Sequence, residues 1–149
     1  MTRSKPEGSK VCVPCEGGEA SGLKVYTAQE LEKELADLPL WKPSADGDYI
    51  VRSFVAKNFL SAIAFFNAVG EVAEEQGHHP DLHLTQYRNV EIRLQTHSMG
   101  GVTQNDIEEA KLFDQVPVVY SPMWMRSNPE ASKPATTPPA TSSSPPAPP

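Results

Sequence analysis

Periodic hydrophobic positions occupy only the middle of this chain, and their period changes along it. Thr27 followed three residues later by Glu30 reads as a capping box, with Thr27 as N-cap. Leu31, Leu35 and Leu38 mark one face of the helix it opens, and Pro39 is expected to stop it. From Trp41 to Val55 the pattern is that of a hairpin. Asp46-Gly47 gives the turn, and Tyr49, Val51 and Phe54 are strand formers after it. The strongest helix spans about Asn58 to Gln76, where Leu60, Ile63, Phe66 or Asn67, Val69, Val72 and Ala73 recur at three-to-four spacing. Gly77 stands where a left-handed residue ends a helix.

Two further strands are expected, Leu82 to Tyr87 and Val90 to Thr96, joined by a turn at Arg88-Asn89. In the second, Val90, Ile92 and Leu94 alternate with Glu91, Arg93 and Gln95, which gives one buried side and one wet side. Gly100-Gly101 breaks the pattern. Thr103 caps a last helix, with Asp106 in its first turn and Ile107, Ala110, Leu112 or Phe113, and Val116 as its apolar stripe. The order α-β-β-α-β-β-α predicts an α+β fold, a four-stranded antiparallel sheet with helices packed on one face. The uncovered face and the sheet edges would favour self-association.

The ends lack such patterning. Met1 to Gly22 has neither an apolar signal core nor an Arg-rich amphipathic pattern, so it is expected to be a flexible extension. It carries Cys12-Val13-Pro14-Cys15, which lacks a second ligand pair at zinc spacing and reads as two silent thiols. Ser127 to Pro149 holds 8 of the 15 prolines and no aromatic, Ile, Leu or Val, so it is expected to be a disordered Pro/Ser/Thr tail. Residues 23–126 remain for a single core. A net charge of −6 argues against direct nucleic-acid binding, and no run is long and apolar enough for a membrane helix. With no targeting signal, the expected compartment is the cytoplasm, or a plastid or mitochondrion if a presequence is missing.

Candidate chemistry gathers around the histidines. Three of the four, His78, His79 and His83, lie directly after the long helix, and His97 ends the last strand. Glu74 and His78 are four apart and can share the helix exit, where the dipole and a nearby carboxylate favour imidazolium. Pro80 holds His79 in extended backbone and so fixes where its ring points. Imidazoles on a constrained loop suit proton transfer near neutral pH. Adjacent histidines diverge and make a poor metal pair, so no metal site is expected. His83 reads as a half-exposed strand residue.

Glu74, His78-His79-Pro80, Tyr87, His97 and Asp106, at these intervals, resemble the motif of the pterin-4a-carbinolamine dehydratases, also called 4a-hydroxytetrahydrobiopterin dehydratases. The resemblance covers about Leu23 to Tyr120. It implies a hydro-lyase that recycles the pterin of aromatic amino-acid hydroxylases, without metal or organic cofactor, as a homodimer or homotetramer. It implies His78 and His97 as the principal acid/base pair and His79 as an orienting or proton-sharing partner. Glu74 would hold His78 or a pterin nitrogen, and Asp106 would orient a histidine, expected to be His97. Pro80, Thr96, Ser98 and Met99 would join the histidines in seating the pterin. Relatives of this family also serve as non-catalytic RuBisCO assembly factors or as a transcriptional coactivator, and those are the alternatives to an enzyme. By strict alternation His97 lies opposite Ile92 and Leu94, and it reaches the His78 loop only if the strand ends or twists at Thr96.

Overall fold

The structure, a computed structural model, describes residues 23–132. Its elements are α1 (Ala28–Leu35), β1 (Lys42–Pro43), β2 (Ile50–Val55), α2 (Phe59–Gln76), β3 (Asp81–Thr85), β4 (Asn89–Leu94), α3 (Gln104–Asp114) and α4 (Pro122–Ser127), with short 3₁₀ turns at His97–Met99 and Pro129–Ser132. The strands form one antiparallel sheet in the order β1-β2-β4-β3. This is the expected α+β architecture.

Local signals account for most element ends. Thr27 and Glu30 close a reciprocal capping box at α1. Asn58 caps α2 through its side chain, and Gly77 ends it in the left-handed conformation that costs glycine little. α1 stops at Leu35, four residues before Pro39. The chain turns there because Leu38 folds back into the core, its N–H donating to the Leu35 carbonyl at 3.0 Å.

Ile50, Arg52 and Phe54 of β2 and Val90, Ile92 and Leu94 of β4 point to one face of the sheet and are buried. Ala62, Phe65, Val69 and Ala73 of α2 and Ile107, Ala110 and Phe113 of α3 complete that core. The opposite face carries Ser53, Glu91, Arg93 and His83, which are exposed or half-buried.

Three expectations change. The β3–β4 turn is centred on Gln86 and Tyr87, both at positive φ (47° and 58°), not on Arg88-Asn89. Thr85 pairs with Asn89, so Asn89 already belongs to β4. A fourth helix, α4, follows the expected last one. Its six residues have no amphipathic repeat, and tertiary contacts hold it: Trp124 stacks on Tyr120 at 5.2 Å, and the Ser121 N–H donates to Val55 at 2.8 Å. The expected disordered tail therefore starts too early, because Ser127 closes α4 and Ala131 is buried. The Cys12–Cys15 pair and the rest of that tail lie outside the described residues. No helix among the described residues is long and apolar enough to cross a membrane.

Candidate active site

The first turn of α3 brings Asp106 of the motif to His78 and to Thr96. Thr103 caps α3, and Asp106 answers as the third residue of the capping box, its Oδ2 accepting the Thr103 N–H at 2.9 Å. The same Oδ2 accepts the Thr96 hydroxyl at 2.9 Å. Thr96 in turn lies 2.8 Å from the Thr103 hydroxyl. Asp106 Oδ1 meets His78 Nε2 at 2.5 Å. A carboxylate only accepts, so His78 carries its proton on Nε2, and Asp106 fixes both tautomer and ring. Asp106 is fully buried and His78 is 7% exposed.

Asp106 thus ties the loop after α2 to the end of the sheet. β4 ends at Leu94, and Thr96 bridges to Gly101, its N–H donating to the Gly101 carbonyl at 2.8 Å. The bridge closes a short turn in which Gly100 takes the left-handed conformation (φ 68°) and His97 begins a 3₁₀ turn. The strand thus ends before His97, while the alternation of burial runs on through a buried Thr96 to an exposed His97. A Cβ at Gly101 would meet Val25 Cγ1 at 2.6 Å, so a larger residue there would displace the exposed Val25 side chain. His97 is exposed, and the Gln95 amide donates to its Nδ1 at 3.0 Å, which puts its proton on Nε2.

Two expected partnerships are exchanged. Glu74, expected to hold His78 or a pterin nitrogen, pairs with His79 (2.8 Å) instead of His78. Both are exposed, at one end of an open groove of about 780 Å³ between α2 and β3. The reason is geometric. Gly77 turns the chain left-handed after Gln76, so His78 swings inward toward α3 and His79 faces back along α2. Asp106 holds His78 and not His97, because its second oxygen is taken by Thr96 and Thr103.

Pro80 precedes β3, while Ser98 is exposed and Met99 half-buried in the 3₁₀ turn. Tyr87 sits at the far end of the β3–β4 hairpin. The five residues of β3, roughly 17 Å at ~3.3 Å each, and Gln86 separate it from Pro80, so it stands apart from the cluster. His83 is exposed on β3.

The sequence reading missed Glu109. This side chain is fully buried one turn after Asp106. Neither of its oxygens has a hydrogen-bond partner among the described residues, and Oε2 lies 3.9 Å from His78 Nε2. Burial first, and the neighbouring Asp106 charge second, push its carboxyl up to about 9. The spacing of 106, 109 and 113 along the buried stripe of α3 was the available signal.

Residues 24–116 match the family described as Pterin 4 alpha carbinolamine dehydratase. The chain is 37% identical over 112 residues to the mitochondrial pterin-4-alpha-carbinolamine dehydratase 2 of Arabidopsis thaliana, an alignment covering 74% of this chain and 58% of that relative's length. It is 42% identical over 105 residues to a provisionally named pterin-4-alpha-carbinolamine dehydratase of Halorhodospira halophila, covering 70% of this chain and 92% of the relative. A crystal structure titled transcriptional coactivator/pterin dehydratase, from Brucella melitensis, superposes with a TM-score of 0.59 at 32% identity, over 62% of this chain and 98% of that one. The matched segment holds the whole sheet and the Asp106-centred cluster, and on that ground this chain belongs to the pterin 4 alpha carbinolamine dehydratase family.

Proposed function

We propose that this chain is a hydro-lyase that removes water from 4a-hydroxytetrahydropterin to give quinonoid dihydropterin, recycling the pterin of aromatic amino-acid hydroxylases. The observation that carries the reading is the buried Asp106, which holds His78 by one oxygen and the Thr96 turn leading into His97 by the other. Hydroxide is a poor leaving group, so the C4a–O bond breaks as an acid protonates that oxygen, and water departs. A base takes the ring N–H proton as the C=N bond forms. One proton is given and one received, with no net redox change. His78 and His97 fill these two roles. His78, held through Nε2 by Asp106, and His97, which presents Nε2, would exchange these protons with substrate. The His79–Glu74 pair would orient the pterin, with Pro80 and the turn Thr96, Ser98 and Met99 as its seat.

The unpaired edge of β3 and the exposed Phe59 and Leu60 of α2 support a homodimer or homotetramer. Light scattering should then give two or four times the 16.3 kDa chain mass.

The test is dehydration of freshly generated 4a-hydroxytetrahydropterin, with the spontaneous reaction subtracted. Wild type should accelerate it, and folded His78→Ala and His97→Ala should each lose roughly 100-fold or more. No acceleration by wild type would sink the enzyme reading and put a non-catalytic scaffold first.

A further inference from the structure

Asp106 holds His78, and the structure puts a second carboxyl group, that of Glu109, behind the same ring. We propose that Glu109 is a positioning residue of this site, a buried acid that stores a proton behind His78 and, on releasing it, sets a second carboxylate charge against the imidazole. The proposal rests on the dehydratase reading for its kinetic consequence and on geometry for its existence.

The geometry is specific. Asp106 and Glu109 sit three residues apart on one face of α3 and both look toward His78 Nε2, at 2.5 and 3.9 Å. Asp106 collects three donors, from His78, Thr96 and the Thr103 N–H. Glu109 collects none among the described residues. A fully buried carboxylate without donors is costly, so the acid that lacks them keeps the proton. Glu109 does not reach solvent and so cannot touch substrate; it acts through His78.

Among the described residues, the charges of the elements packed around Glu109 face elsewhere. On α2, which packs against α3, Glu71, Glu74 and Glu75 are exposed, and Glu74 is paired with His79. On α3 itself, Glu108 pairs with Lys111 at 3.1 Å. Glu109 therefore reports to Asp106 and His78. When pH rises far enough to ionise it, a second carboxylate charge stands 3.9 Å from His78 Nε2, close enough for the ring to feel it.

Glu109→Gln keeps the shape and removes the stored proton. In wild type, the ratio of kcat/KM at about pH 9.5 to that at about pH 7 should exceed the ratio in Glu109→Gln by on the order of threefold or more, because an opposite charge at this range is strongly felt. A merely structural Glu109 would lower both values together and leave the ratio unchanged, which would overturn the proposal. Carbon and nitrogen NMR of wild type gives the same answer without turnover or a variant. The Glu109 carboxyl, assigned through its own backbone, should be protonated at neutral pH, and the His78 ring should show an inflection at the pH where that carboxyl ionises. An ionised Glu109 at neutral pH, or a His78 ring blind to it, would overturn the proposal even if Glu109→Gln fails to fold. A wild type that is inactive but shows the coupled titration would overturn the dehydratase reading and leave the Glu109–His78 pairing standing.

Discussion

The two ends of α3 bury ionic groups in opposite ways. At the C-terminal end, Asp114 meets Arg52 at 3.0 Å, and the Trp41 indole donates to the same oxygen at 2.9 Å. Arg52 also donates to the Tyr120 hydroxyl at 2.7 Å and lies over the rings of Phe54 and Phe65 at 5.2 and 5.7 Å. One cation faces one anion, and every part of the pair is supported. At the N-terminal end, two carboxyls face one imidazole, and one of them has no donor. The first arrangement ties helix, sheet and α4 approach together. The second gathers an excess of acid around His78, the residue proposed to move protons, as functional sites do when they hold perturbed groups. Burial acts on both: it pushes Asp114 up as well, opposed by Arg52 and Trp41, whereas nothing opposes it at Glu109.

The sharpest way to break this contrast is Arg52→Met. It leaves Asp114 buried beside Trp41 alone, and urea unfolding should show a loss of about 3–5 kcal/mol. Glu109→Met should go the other way. Removing an unsupported buried acid for an apolar side chain of similar size should raise stability by about 1–3 kcal/mol at pH 8, and a loss there would erase the difference between the two ends.

The same contrast has a pH signature. Below the ordinary carboxylate range, the folded and unfolded chains both hold the Glu109 proton. As pH rises through that range the unfolded chain loses it and the folded chain keeps it, so stability falls until about pH 9, where the folded chain loses it too. The slope contributed is on the order of 1.4 kcal/mol per pH unit at most, and unfolding curves between pH 5 and 9 should be flatter in Glu109→Met.

Smaller effects sharpen the picture. Thr96→Val removes the donor to Asp106 Oδ2 without changing shape. It should cost about 1–2 kcal/mol and lower kcat more than KM changes, since Asp106 would then hold His78 less firmly. Thr27→Ala opens the exposed capping box of α1, the same motif as the buried one at α3. It should cost about 0.5–1 kcal/mol in thermal unfolding and leave dehydration untouched.

Much of this was legible without the fold. The capping pairs Thr27–Glu30 and Thr103–Asp106 act over three residues, and so can be read in one dimension. So can Gly77, because a left-handed helix end depends on one residue's backbone. Tyr87 was not legible: a bulky residue at positive φ is disfavoured locally, and the pairing of Thr85 with Asn89 imposes it. Nor was α4, whose helix depends on Trp124 stacking on Tyr120 and not on its own periodicity.

For the site, the sequence by itself determined which residue types are available and at what intervals, and with them the family. Which carboxylate serves which histidine was decided only in three dimensions. Asp106 and His78 are 28 residues apart and Arg52 and Asp114 are 62 apart, and no local rule reaches across such distances. The left-handed turn at Gly77 and the packing of α2 on α3 select those partners. The burial of Glu109 is likewise a property of that packing: one acidic residue on a helix becomes a proton store only when a second helix excludes water and donors from it.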